Sequence, residues 1–476
     1  MSIFTRIARE EWRSLLRDRA AVFGLLLLTV LTSLAALNAH EYQRNADAER
    51  ARYQVRANHE FQAQPDRHPH RVVHFGHFLF RPLNPLAAFD GGIDGYTGHT
   101  LFLEGHRQNS ANFGDVRQNS LLLRFGQMSP AFVLQVLAPL LLVFFGHAGV
   151  ARERESGTLR ILLAQGVPSR QLVLGKLLAL GSFAGIALLP ALLALAWLAA
   201  TGKAPWPLAL LLAAGYGVWL LLWALIVVLV STLAPRGRDA LLALLAVWAL
   251  VVILLPRWVP DMASTAVALS TRYEDGIHVH RDYLALGDPH DPKDPAFAAF
   301  RAGLLRQYGV TRIEDLPVNY KGLVGMEGER LSTELFNSYA AAAFDRQQRQ
   351  NAIVDRFGWL SPTLALRRLS MAASGTDLAT YQDFLDQGER YRYDLVQGLN
   401  RIQSEELQFA DDTNPNKENR VSRSHWDAFP EFRYRPAAMA VIVDRAAPAG
   451  LMLLAWLAAL AVLAWRVAGR LGRTVR

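Results

Sequence analysis

The sequence predicts an α-helical polytopic membrane protein. Six transmembrane helices, an N-terminal interfacial helix and a large, mainly α-helical periplasmic domain built from two insertions are expected. Three observations carry this. Six apolar runs of about 20 residues lack Asp, Glu, Lys and Arg, which is the length needed to cross a hydrocarbon core. The 476 residues are 51% hydrophobic and only 19% charged. The Lys and Arg of residues 1–19, 151–176, 234–239 and 466–476 fall on one side if the spans alternate, while the short loop 201–205 on the other has only Lys203. A single charge at a span centre costs roughly 2.5–3.5 kcal/mol on insertion scales, so six clean runs do not fit a large soluble core. The absence of cysteine excludes disulfides, thiolate zinc sites and a cysteine nucleophile.

Residues 1–19 place Phe4, Ile7, Ala8, Trp12, Leu15 and Leu16 on one helical stripe, with Arg6, Arg9, Arg13 and Arg17 elsewhere. That pattern predicts an interfacial amphipathic helix, or a helix packed on a partner. The first span is expected at 20–38. No A-x-A-like cleavage site precedes Glu41, so it is expected to remain in the membrane. Residues 39–129 form a first exported segment, whose Gly-, Pro- and aromatic-rich part from Val72 to Leu103 suggests turns and short strands. Spans follow at 130–150, 171–200, 206–233 and 239–258, with 151–170 between the second and third as a short cytoplasmic helix. Residues 259–445 form a second exported segment with helices from Glu327 to about Phe357 and after the Thr376-Asp377 cap. The stretch Phe357–Met371 is too short and too charged to span, and is expected along the outer leaflet or under the exported domain. The last span is expected at 446–466 and a cytoplasmic tail at 467–476.

The stretch from Ala151 to Lys176 has charged ends, an apolar centre and a Pro168-Ser169 break. In order and spacing, Glu153 and Glu155, Gly157-Thr158-Leu159, Leu162-Leu163-Ala164, Pro168-Ser169-Arg170 and Gly175-Lys176 resemble the coupling segment of type-2 ABC exporter permeases. It lies between spans two and three of six, where that family has it. The large exported region is similar to that of a subgroup known only by a domain of unknown function. Ser361-Pro362, Ser370, Gly375-Thr376-Asp377, Phe384, Tyr391-Arg392 and the run His74–Pro82 carry that likeness. The resemblance implies a permease that docks 151–170 on a separate ABC ATPase subunit and pairs with a second permease, the same chain or a paralogue. ATP and magnesium are then bound by the partner ATPase, and no cofactor is expected in this chain. It implies a bacterial inner membrane location with both termini cytoplasmic, lipid around the spans and room for a periplasmic protein partner. Action on that partner without transport is the alternative reading.

No enzymatic activity is expected of the chain alone. Gly175-Lys176 is followed by Leu177 and position 170 is Arg, so the phosphate loop G-x-x-x-x-G-K-[ST] is not met. His40-Glu41 and His59-Glu60 lack the second His of a zinc-protease helix, and Asp412–Arg423 lacks the Gly and Glu of a calcium loop. Of the 13 His, His68, His70, His74 and His77 fall within ten residues. Such a cluster raises metal handling, copper-like in kind, but the spacing matches no standard site, and none is expected. His147 is the one ionisable group within a span, and Gly181–Gly185 has the spacing that lets helices approach closely.

A net charge of +8 would suit a polyanionic partner if it lay on one exposed face. Residues 1–19, 151–176, 234–239 and 466–476 hold 16 Lys+Arg against 6 Asp+Glu, while the remainder holds 34 against 36. The basic balance therefore belongs to the ends of the spans, and no nucleic-acid partner is expected.

Overall fold

The structure is a computed structural model that describes residues 2–107, 128–291, 293–414 and 416–474. The expected tail residue Arg476 and part of the first exported segment, 108–127, lie outside the described residues. Helix α1 (Ile3–Arg17) leads directly into α2 (Arg19–Gln62), with Asp18 between them accepting from the backbone N–H of Ala20 at 3.0 Å. The short helix α3 (Pro69–Val73) precedes strands β1 (His77–Phe80) and β2 (Thr100–Leu103), which pair antiparallel with His77 opposite Leu103. After the second apolar run, ending in α4 (Ala138–Gly146), come the short α5 (Ala151–Glu155) and α6 (Thr158–Ala164). Two long apolar helices follow, α7 (Ser169–Ala200) and α8 (Trp206–Leu233). Then α9 (Gly237–Trp248) runs through a π turn into α10 (Leu255–Ala266). The second inter-span segment contributes α11 (Arg272–Ala285), α12 (Ala298–Tyr308), α13 (Tyr320–Arg356), α14 (Pro362–Ser374) and α15 (Leu378–Glu406). The chain closes with α16 (Met439–Thr474).

Six helices are long and apolar enough to cross a membrane: Arg19–Gln62, Pro130–Glu155, Ser169–Ala200, Trp206–Leu233, Gly237–Ala266 and Met439–Leu471. They leave Phe23, Leu27, Leu210, Leu242 and Leu451 exposed, an apolar belt that lipid would cover. The chain is thus an α-helical protein of membrane type. Helix α8 lies at the centre, with Tyr216, Trp219 and Trp223 fully buried. Its neighbour contains a π turn at Val133–Leu137, which loosens the i→i−4 ladder. The Trp219 and Trp248 indoles donate to the carbonyls of Leu134 and Val136 there, at 3.0 and 3.1 Å.

Two elements extend what the sequence suggests. The helix that carries the first apolar run does not stop at Asn38: α2 continues unbroken for 44 residues, about 66 Å at 1.5 Å per residue. That is about twice the hydrocarbon thickness, so its C-terminal half stands within the inter-span domain. There Gln54 closes the free edge of β1, donating to Phe78 O at 3.1 Å and accepting from Phe80 N at 2.9 Å. Of the two places expected for the stretch after Phe357, the structure fits the one under the inter-span domain. Helix α14 is buried along most of its length and wedges between α8 and α16, with Leu369 against Gly215 and Gly450. Trp456 donates to Gly358 O at 3.1 Å, and Ser361 donates to Val251 O at 3.0 Å.

The inter-span domain itself is held by α13 packed on α15. Between them Arg392, 1% exposed, pairs with Glu329 at 2.5 Å and Glu389 at 2.7 Å. Phe384 on α15 packs with Leu79, Leu101 and Leu103 of the hairpin. Asp412 gathers three segments, accepting from Gln403 at 2.9 Å and Asn319 at 2.7 Å and pairing with His68 at 2.8 Å. Burial pushes the Asp412 carboxyl up, but His68, Gln403 and Asn319 outweigh it and hold the group below its ordinary range.

Candidate functional site: the 151–176 segment

The segment between the second and third apolar helices is fixed by glycines at two points. Gly157 has φ +77 and separates α5 from α6. Gly166 has φ +86, and the amides of Gly166 and Val167 return to the carbonyls of Leu163 and Leu162 at 3.2 Å each, closing α6 with a Schellman motif. Pro168, extended, then starts α7 at Ser169. A seven-residue helix is thereby held between two left-handed residues, whose φ a side-chain-bearing residue adopts only with strain.

Glu153 and Arg154 of α5 are part-buried and turned toward the bundle, while Arg152 is exposed. Lys176, 3% exposed at its side chain, places Nζ 2.7 Å from Glu153 and 2.5 Å from Glu11 of α1. Arg154 donates to the carbonyls of Thr232 and Ala234 at the end of α8, both at 2.5 Å. Ser231 Oγ accepts from the amides of Val150 and Ala151 at 3.0 and 3.2 Å. Glu155 accepts from Gly237 N at 3.2 Å, at the N-terminus of α9, where the helix dipole favours a carboxylate. Arg170 stacks on the Trp465 ring of α16 at 4.3 Å. The segment is therefore tied to the ends of α1, α7, α8, α9 and α16 together.

Of the residues singled out in the sequence, Leu159 is buried and Leu162 and Leu163 pack on the bundle core. Thr158 is exposed beside Ser156, their hydroxyls 2.8 Å apart. Pro168, Ser169 and Arg170 form the turn into α7. The outward face is formed by Arg160, Ile161, Ala164 and Gln165, which are exposed, Ile161 at 58%. The amphipathic stripe of α1 faces the bundle, with Ile7 beside Gly175 and Trp12 edge-on to Phe183 at 6.3 Å. Glu11 was the missed partner. Its signal is indirect: a Lys at the mouth of an apolar helix needs a carboxylate. His147 Nδ1 lies 2.8 Å from Phe144 O, and among the described residues nothing lies within 4 Å of where a side chain would begin at Gly181 or Gly185.

Residues of the other sequence pattern lie where the inter-span domain meets the spans. Ser370 on α14 donates to Asp90 and lies 2.9 Å from the Tyr216 hydroxyl of α8, which receives Gln135 Nε2 at 2.7 Å. Thr376 Oγ1 donates to Asp90 O at 3.1 Å, and Asp377 caps α15 by accepting from Thr380 N at 3.0 Å. Among the four clustered histidines, the structure separates two from the others. His68 goes to Asp412, and His77 is buried in β1 against Phe61, where burial pushes its imidazole down to about 4. His70 and His74 instead meet His106 and His290.

A family match covers part of this domain. Residues 278–435 match the family model described as a domain of unknown function (DUF3526). The match takes in α13, α14 and α15 but not the 151–176 segment. No curated protein matches the chain.

Proposed function

We propose that the chain is the permease subunit of an ATP-driven ABC transporter, acting as an exporter in the bacterial inner membrane. A separate ATPase subunit docks on α6. The observation that carries this is the anchoring of one short segment to five helix ends while α6 keeps Arg160, Ile161 and Gln165 exposed. An apolar knob on a rigid base is suited to receive a partner and pass its displacement to several spans at once. The motif resemblance over 151–176 supplies the class of partner. In this reading 151–170 and both termini are cytoplasmic, and residues 39–129 and 259–445 are periplasmic. The permease pairs with a second permease, and ATP and magnesium stay on the partner chain.

The reading is tested by purifying the chain alone and in its native complex. ATP hydrolysis is expected only in the complex, and Ile161→Asp is expected to remove the ATPase chain while leaving membrane insertion intact. Hydrolysis by the isolated chain, or a full complement of partner in the variant, would falsify it.

A second reading, mechanical action on a periplasmic protein without transport, is favoured by α2. One unbroken helix connects the spans to the β-hairpin through Arg50, Gln54 and the carbonyls of Arg81 and Phe78. Vesicle transport assays separate the two: ATP-driven solute movement supports the exporter, and partner-stimulated hydrolysis with no solute movement supports the mechanical reading.

A further inference from the structure

Four imidazoles from three separate stretches converge at the edge of the inter-span domain. His70 lies on α3, His74 follows it, His106 follows β2, and His290 sits in the loop before α12. One ring nitrogen from each lies within 4.8 Å of the others. His70 Nε2 is 3.2 Å from His74 Nε2 and also 3.2 Å from His290 Nε2. A neutral ring nitrogen has either one proton or one in-plane lone pair, so it can serve only one of these contacts well. A cation accepting all the lone pairs removes that conflict. With metal–nitrogen bonds of about 2.0–2.1 Å, a tetrahedral ligand set has edges of about 3.3 Å, close to the spacing observed.

The outer contacts of His74 and His290 have the hydrogen bond to a carboxylate that a metal-bound histidine requires, and His106 has a carboxylate within reach though not aligned to bond. His74 Nδ1 is 3.2 Å from Glu104, His290 Nδ1 is 2.9 Å from Asp288, and His106 Nδ1 is 3.2 Å from Glu329. A carboxylate on Nδ1 favours the tautomer protonated there and leaves the Nε2 lone pair for the centre. Glu329 is itself held by Arg392, so the outer contact of His106 reaches the core of the domain. The backbone points the same way. His106, at φ +61, is the one non-glycine residue of positive φ among the described residues, and its amide donates to Glu329 at 3.2 Å. Strain of this kind persists where the surroundings enforce it. His74 and His290 are exposed and leave an entry path, while His106 is nearly buried.

We propose that His70, His74, His106 and His290 bind one divalent transition-metal ion of the zinc(II) and copper(II) class. Imidazole ligation without any thiolate selects borderline divalent ions, and the carboxylates sit in the outer ring, where they orient the ligands. The site joins the first inter-span segment to the second and stands independently of the permease reading.

The test uses the full chain in detergent, stripped with a chelator and titrated with zinc(II) against a chromophoric competitor. One ion per chain is expected, with a dissociation constant at or below about 1 µM. His74→Ala and His290→Ala remove exposed side chains and leave no core cavity, and each is expected to weaken binding at least tenfold with helicity unchanged. Glu104→Gln is expected to weaken it roughly 10–100-fold, and an unchanged affinity there would refute its orienting role. His425→Ala, at a histidine outside the cluster and paired with Glu406, is the control and is expected to change nothing. Binding weaker than about 1 µM, a loss below tenfold in the two cluster variants, or an equal loss in the control overturns the site.

Discussion

Replacing Lys176 by Met keeps the length of the side-chain stem and removes only its ammonium. In the native arrangement that ammonium is buried between Glu11 and Glu153, whose side chains are 28% and 20% exposed. Its removal leaves two carboxylates facing each other beside an apolar wall. Breaking a buried pair costs about 3–5 kcal/mol; because both carboxylates reach some water, the lower figure of about 3 kcal/mol applies here. The cost falls on the junction of α1, α5 and α7, which opens locally before the spans do. At 1.36 kcal/mol per decade, about 3 kcal/mol corresponds to roughly hundredfold faster amide exchange in Ile3–Arg17 and Ala151–Glu155. Hydrogen exchange with mass spectrometry on the detergent-solubilised chain reads this directly. Adding Glu153→Gln to Lys176→Met should cost less than the sum of the two single changes, by about 0.5–3 kcal/mol. Unchanged exchange in both peptides, or strict additivity in the cycle, would refute the reasoning.

Other consequences are independent of that junction. Arg392→Met strands Glu329 and Glu389, and should destabilise the inter-span domain by about 3–5 kcal/mol, read by exchange in Tyr320–Arg356 and Leu378–Glu406. His77 has a folded pKa of about 4, below its ordinary 6.5, so the unfolded chain binds more protons between those values. Domain stability should therefore be full above about pH 6.5 and fall as pH drops toward 4, by at most about 3 kcal/mol, and His77→Gln should remove that part of the slope. Gly166→Ala places a side chain at φ +86 and should loosen the end of α6 by about 1–2 kcal/mol, seen as faster exchange in Thr158–Ala164 with α7 unaffected.

The membrane helices were legible because lipid forbids unpaired charge: each of the six uncharged runs lies within one of the six long apolar helices. What lay beyond the hydrocarbon was harder to read. Past Asn38, α2 turns polar on all sides, so no apolar stripe marks it, and it is held by single contacts from Gln43, Arg50 and Gln54. Helix α14 contains Arg367 and Arg368, which argue against burial. The structure accommodates them at Gln135 (3.4 Å) and Asp355 (3.6 Å), partners more than ten residues away in sequence. The 151–176 motif was visible as spacing, but spacing does not tell inward from outward. Glu153 and Glu155 are committed to Lys176 and Gly237, and the free face belongs to Arg160 and Ile161. Histidine density pointed at His68 to His77, whereas convergence in space required His106 and His290, brought in by the hairpin and by the loop before α12.

The most direct test of the permease reading is to place a photo-crosslinking residue at position 161 and irradiate native membranes. A single major adduct with a nucleotide-binding ATPase chain, lost when the crosslinker is moved to the buried position 159, is the expected result. Adducts with lipid alone, or with a protein that binds no nucleotide, would contradict it.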